Sequence, residues 1–266
     1  MLRPVKAVGS LARGLRLLSI FDVDVKELGL SDLAKRAGLD KATTHRLART
    51  LTELGCLQQD LETKRYRLGV SVLDLGFAYL ASVDVRELAL PHMQALARDF
   101  DGSVSLSILD GDEIVYIERM RPKPFQVGVE VHIGTRSPAY CTAMGKALLA
   151  CLPPRERERR LARIPLERLT ARTVTDPRAL ARQLDEILRR GFAVNDEEHA
   201  VGLRSVAAPI RDRSGGGVAA LNVAVSSVVP RQELESRIAP RVVDAAAAVS
   251  AQLGRTVARP QAGKTA

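Results

Sequence analysis

Tryptophan is absent and aromatic residues make up only 3% of the 266-residue chain, so the core has to be built from aliphatic side chains. Cysteine is scarce. Cys56, Cys141 and Cys151 form neither a CxxC pair nor an even framework, which excludes a disulfide scaffold or zinc ribbon and suits a reducing compartment. No charged leader with an apolar core opens the chain, and no apolar run is long enough to cross a bilayer. The expected setting is the cytoplasm, with no membrane partner. Acidic residues are the minority, 31 against 40 Lys/Arg, for a net charge of +9. Residues 1–70 carry 13 Lys/Arg against 8 Asp/Glu, whereas the other 196 carry 27 against 23. Positive charge is therefore denser at the front, as phosphate binding requires. A hydrophobic content of 46% with charges of both signs marks a globular chain of one or two domains.

The stretch Leu30–Leu57 reads as two short helices joined by a tight turn. Ser31 is the expected N-cap of the first, Leu33, Ala34 and Ala37 its apolar side, and Gly38 its left-handed terminator. Asp40 caps the second, in which Leu47, Leu51 and Leu54 are expected to face inward. Lys41, Ala42, Thr43, Thr44, His45, Arg46 and Arg49 then supply a small, hydroxyl- and cation-bearing face suited to a DNA major groove. A preceding helix, from Ser10 to about Phe21, is expected to use Leu11, Leu15 and Leu18. After the pair, the alternation around Asp60 predicts a hairpin with Lys64, Arg65 and Arg67 at or near its tip. Three helices and a basic hairpin make a winged helix–turn–helix over residues 1–70.

Residues 71–100 read as two linker helices, apolar on two sides and suited to a dimer seam. Asp84 with Glu87 suggests a capping box, Pro91 a kink or break, and Met93, Leu96 and Phe100 a core-facing stripe. The period then changes to two. Ser103–Ile108 alternates strictly, as a strand with one buried face does, and Asp110-Gly111 turns it into Ile114–Ile117. Phe125–Ile133 is a third expected strand, and a helix begins near Thr142. Another runs from Asp176-Pro177 to Gly191. Phe192–Glu198 is a short strand or loop, Arg204–Arg211 and Val218–Ser226 are strands, and a final helix places Val242, Ala245, Val249 and Leu253 on one side. The domain at 101–255 is therefore α+β, and 256–266 is expected to be a disordered tail.

Both halves resemble the IclR family of bacterial transcriptional regulators. The similarity rests on SLARGLRLLSIF, LSDLAKRAGLDKATTHRLARTLTELGCL and ETKRYRLG in front, and on IGTRSPAYCTAMGKALLA and GFAVNDEEHAVGLRSVAAPIRD behind. GTRSPAYCTAMGKALLA and LTARTVTDP look similar to the branch that controls aromatic-acid catabolism through the β-ketoadipate pathway. The resemblance implies a GAF-like C-terminal domain sensing a small organic acid, a homodimer or homotetramer, and a pseudo-palindromic double-stranded operator, with RNA polymerase a further candidate partner. It also implies an effector site lined by Ala143, Met144, Asn195, Ser205, Asn222 and Ala224. Backbone N–H groups just after Thr142, at a helix N-terminus, suit a carboxylate independently of the family. Met144 and Ala224 differ from some relatives and point to a larger or more apolar ligand.

Other chemistries fit less well. Gly145-Lys146 fails as a phosphate loop, because Tyr140 replaces its first glycine and Ala147 its Ser/Thr. Asp196, Glu197, Glu198 and His199 read as a solvated loop rather than a metal site. Cys141 has no relay in sequence, and His92 and His132 read as structural or surface residues. No cofactor and no catalytic residue is expected. The rival readings are an enzyme recruited to nucleic acid by its N-terminal unit, and a DNA-binding protein that senses nothing.

Overall fold

A computed structural model describes residues 8–120 and 131–256. The chain divides into two units, 1–82 and 83–266. The first contains α1 (Gly9–Leu18), α2 (Leu30–Ala37), α3 (Lys41–Glu53), the antiparallel pair β1 (Leu57–Gln59) and β2 (Tyr66–Leu68), and α4 (Ser71–Ala81). It is a winged helix–turn–helix. Leu17, Leu28, Leu33, Ala37, Ala48, Leu57 and Tyr66 make its core. An antiparallel bridge between Leu28 and Tyr66 fastens the start of β2 to the turn before α2.

Several local expectations change here. The residue capping α2 is Gly29, with Ser31 exposed inside the helix. In α1, Gly14 and Leu17 are buried while Leu11 and Leu15 are exposed, so the inward face lies one position away from the leucine stripe. Helix α3 ends at Glu53, which leaves Leu54 outside it and 64% exposed. The inward stripe is instead Thr44, Leu47, Ala48 and Leu51.

The second unit opens with α5 (Asp84–Asp99). Its N-cap is Val83 with no side-chain cap bond, so Asp84 and Glu87 act only as first-turn acidic residues and form no capping box. Pro91 does not break the helix, and Met93, Leu96 and Phe100 are buried as expected. Among the described residues a six-stranded antiparallel sheet follows, in the order β5-β4-β3-β8-β7-β6. Its strands are β3 (Ser103–Asp110), β4 (Glu113–Met120), β5 (Arg136–Pro138), β6 (Ala193–Asp196), β7 (Leu203–Arg211) and β8 (Gly217–Ser226). The expected strand 125–133 falls mostly outside the described residues, and its described end, 131–133, is not strand. The expected tail also lies almost wholly outside them.

Between β5 and β6 come a 3-10 turn (Ala139–Cys141), α6 (Ala143–Ala150), α7 (Pro154–Leu161) and α8 (Pro177–Arg190). Asp176 caps α8 through the Arg178 and Ala179 N–H groups, and Gly191 ends it at φ 82°. After β8 run the short α9 (Arg231–Glu233), a π turn (Leu234–Ile238) and α10 (Ala239–Thr256). Helices α5 and α10 cover one face of the sheet, and α6 covers the other with α8 packed on it. The core is α+β. Because both faces are covered, β3 is buried on both sides at Ser103–Ser107, not on one as its alternation implied. Among the described residues no helix is long and apolar enough to cross a membrane.

Candidate nucleic-acid interface and buried cavity

Gly38 takes φ 66°, where an L side chain would be strained, and turns the chain from α2 into α3. Asp40 then accepts the Thr43 N–H at 2.8 Å, and that bond holds its carboxyl below the ordinary carboxylate range. The capped helix exposes Lys41, Ala42, His45, Arg46 and Arg49 on one side, with Thr43 half-buried beside them. Thr44 does not belong to this face. It is 0% exposed and donates its hydroxyl to the Asp40 carbonyl at 2.8 Å, so it cannot reach a groove. Arg49 pairs with Glu53 at 2.9 Å on an exposed surface, a contact weak enough to be given up to a phosphate or base.

In the wing, Asp60 accepts the N–H groups of Glu62 and Thr63 and the Thr63 hydroxyl, which fixes the turn. Lys64 stands at φ 57° at the end of that turn. Arg65 reaches the Glu27 carbonyl at 3.5 Å, and Arg67 bonds Gln58 at 3.2 Å. Lys64, Arg65 and Arg67 are all exposed.

The second candidate site lies between the first turn of α6 and the sheet. Asn195, Ser205, Ala224 and Ser103 stand in register across β6, β7, β8 and β3. Ala207, Asn222, Ser105 and Arg119 form the next row on the same face. Small side chains in these rows leave a hollow that larger ones would fill. The cavity measures about 30 Å³ as space open to the centre of a water molecule, room for two or so waters. Its lining brings together all seven residues named from the sequence: Thr142, Ala143, Met144, Asn195, Ser205, Asn222 and Ala224. Sequence reading missed Ser103, Ser105, Tyr116, Arg119 and His199, which also line it. The serine alternation in β3 was the available signal, but it reads as a solvent face until the covering helix is known.

The lining favours an anion. Asn222 Oδ1 accepts the Ser105 N–H at 3.0 Å and Asn195 Oδ1 accepts the Glu198 N–H at 2.8 Å. With each carboxamide oxygen committed to backbone, what either side chain still offers is its NH2 group. Thr142 caps α6 by accepting the Gly145 N–H, and the first turn directs its N–H groups toward the same region. Gly145 is required there. A Cβ would fall 2.2 Å from the Ala139 carbonyl oxygen, so only glycine lets α6 lie against the preceding turn. Arg119 adds a cation. Burial holds the His199 ring below its ordinary value, and burial likewise raises the Tyr116 hydroxyl. Both groups are neutral near pH 7.

The run Asp196–His199 is no solvated loop. Asp196 pairs with Arg172 and Arg204, each at 2.6 Å, and Glu198 is only 7% exposed and pairs with Lys146 at 2.5 Å. Lys146, dismissed as a phosphate ligand, is 1% exposed. Burial pulls its ammonium down, opposed by the Glu198 charge. Among the described residues no three His, Cys, Asp or Glu side chains are grouped to hold a metal. Burial pushes the Cys141 thiol up to about 12, so it stays protonated and is no nucleophile at neutral pH.

Comparison with known proteins joins the two sites. The IclR helix-turn-helix domain model matches residues 10–61, and the model of the bacterial transcriptional regulator IclR C-terminal domain matches residues 77–251. The chain belongs to the IclR family. It is 36% identical over 245 residues to the Pca regulon regulatory protein of Pseudomonas putida, covering 92% of this chain and 84% of that one. It is 30% identical over 223 residues to the p-hydroxybenzoate hydroxylase transcriptional activator of Acinetobacter baylyi, covering 81% and 80%. The crystal structure of an IclR homologue from Microbacterium hydrocarbonoxydans, complexed with 4-hydroxybenzoate, matches with a TM-score of 0.82 at 28% identity, over 92% of this chain and 98% of that one. The chain is thus a DNA-binding, ligand-responsive transcriptional regulator of the IclR family.

Proposed function

We propose that the cavity beneath α6 binds a small aromatic carboxylic acid, and that its occupancy tunes the grip of a dimer on a pseudo-palindromic operator. The observation that carries this is the buried cavity lined by Thr142, Ala143, Met144, Asn195, Ser205, Asn222 and Ala224, where Arg119 and donor NH2 groups stand among the small residues of the sheet face. A carboxylate finds a cation, a helix N-terminus and amide donors there. The aromatic class is supported by the names of the two regulators above and by the 4-hydroxybenzoate held by the homologue. About 30 Å³ is too small for a benzene ring, so binding widens the cavity, and Met144, unbranched and with three rotatable bonds, is the side chain best able to yield.

At the other end, Lys41, Ala42, Thr43, His45, Arg46 and Arg49 enter the major groove, and Lys64, Arg65 and Arg67 lie on phosphates. Residues 1–70 serve as the DNA-binding segment, 71–100 as the seam and 101–255 as the receptor. Helix α4 supports the seam, since none of its side chains is buried and Leu73, Leu75, Phe77 and Tyr79 are all exposed. Leu73 and Phe77 lie on one side of the helix and Leu75 and Tyr79 on another; a second copy of the same helix covers one of these sides in a dimer, and two dimers make a tetramer. The regulator works in the cytoplasm, where its output is read by RNA polymerase.

The test is a thermal-shift screen of aromatic and keto acids on the full chain. At a hundredfold excess over Kd, a true effector raises Tm by about 5–10 °C. If no acid raises Tm, the cavity is not the sensor.

A further inference from the structure

Lys146 and Glu198 are 52 residues apart in sequence, yet their charges meet at 2.5 Å in the interior. Four pieces of chain converge on them. Lys146 comes from α6, whose first turn is one wall of the cavity. Glu198 lies in the segment that runs from Asn195 near the end of β6 to His199, the opposite wall, and its N–H is the donor that orients Asn195. Gln183 of α8 approaches the Lys146 Nζ at 3.4 Å, and the Thr173 hydroxyl donates to the Glu198 carbonyl at 2.7 Å. Neither charged side chain lines the cavity itself.

For stability alone, apolar residues of the same volume would serve as well or better, because two charges must be stripped of water. Here the cost is higher still. The second oxygen of Glu198 is buried without a hydrogen-bond partner among the described residues. What the pair does that apolar contact does not is fix one distance and direction between two walls.

We propose that Lys146 and Glu198 are positioning residues of the effector cavity, setting the register of the Asn195–His199 segment against the first turn of α6. The proposal rests on the reading of the cavity as an effector site. An acid bridging the two walls meets donors already placed for it. Without the pair, the segment and its Asn195 NH2 group move independently of Thr142–Met144.

The test compares Lys146→Met, Glu198→Leu and the double variant in the full chain. Three quantities are read: Tm, affinity for 4-hydroxybenzoate by titration calorimetry, and hydrogen exchange of the backbone amides at positions 198 and 145. Each single variant leaves an uncompensated buried charge and melts about 6–20 °C lower. The double variant returns to within a few degrees of the native Tm. Its affinity nevertheless stays about tenfold weaker, the loss of one well-placed hydrogen bond to a charged group. The backbone amide at position 198, corrected for the intrinsic rate of the new side chain, exchanges about tenfold faster than in the native chain, a readout that needs no ligand. A double variant that recovers native Tm, native affinity and native exchange overturns the proposal, since the pair would then be structural only. If the native chain itself binds no 4-hydroxybenzoate, the cavity reading is what has failed for this acid. The exchange measurement then decides the positioning claim alone: faster exchange of the amide at position 198 upholds it and unchanged exchange rejects it.

Discussion

Asn222 on β8 turns its carboxamide oxygen onto the backbone N–H of Ser105 on β3, 3.0 Å away. The bond holds the side chain in one orientation and leaves its NH2 pair as the half available to a ligand. Asn222→Asp keeps the acceptor and replaces the donors by a second oxygen carrying charge. An acid should then bind at least about tenfold more weakly, through loss of a charged hydrogen bond and like-charge repulsion. Titration calorimetry at pH 7 reads it. Unchanged affinity would remove Asn222 from the binding surface.

Gly145 is the point where α6 touches the Ala139–Cys141 turn. In most helices alanine is preferred to glycine by roughly 0.5–1 kcal/mol. Here the added methyl falls 2.2 Å from a backbone oxygen that has nowhere to go. Gly145→Ala should destabilise by about 1–3 kcal/mol, seen in denaturant unfolding, and weaken acid binding by shifting the first turn. A gain in stability would show that the helix can slide outward freely.

On the DNA side, side-chain direction separates two kinds of effect. His45→Ala and Arg49→Ala should reduce preference for the operator over other sequences, by about 1–3 kcal/mol if either contacts a base. Lys64→Ala should weaken binding to every duplex alike and flatten its salt dependence. Thr44→Val, at a buried position, should leave discrimination intact. Fluorescence anisotropy across a salt series distinguishes all three, and a loss of operator preference in Thr44→Val would contradict the assigned face.

The exposed apolar residues of α4 make the oligomer testable with one charge. Phe77→Asp should shift the sedimenting species toward monomer while leaving the circular dichroism of the fold unchanged. A native chain that sediments as a monomer would remove the seam.

Features set by neighbours in sequence were legible: Gly38 and Gly191 as left-handed terminators, Asp40 and Asp176 as caps, Asp110-Gly111 as a hairpin turn. Each rests on a local steric or hydrogen-bonding rule. Six of the seven cavity residues were reached through family resemblance, and Thr142 through its place at a helix N-terminus. Leu54 was placed inside because a stripe of leucines does not say that the helix stops at Glu53, and Thr44 was placed outside because its hydroxyl masked a position on the Leu47–Leu51 side, where it bonds the Asp40 carbonyl. The serines of β3 were missed because alternation shows two faces without showing that α6 covers the second. Lys146 and Glu198 were missed for a deeper reason. Their meeting is made by tertiary structure, and each alone looks like a surface charge.

One measurement bears most directly on the whole account: the affinity of the full chain for a labelled duplex from upstream of its own gene, with and without the acid that raises Tm most. If the receptor retunes the DNA grip, saturating acid changes that affinity about five- to a hundredfold in one direction. An acid that binds the cavity while operator affinity stays the same would contradict it.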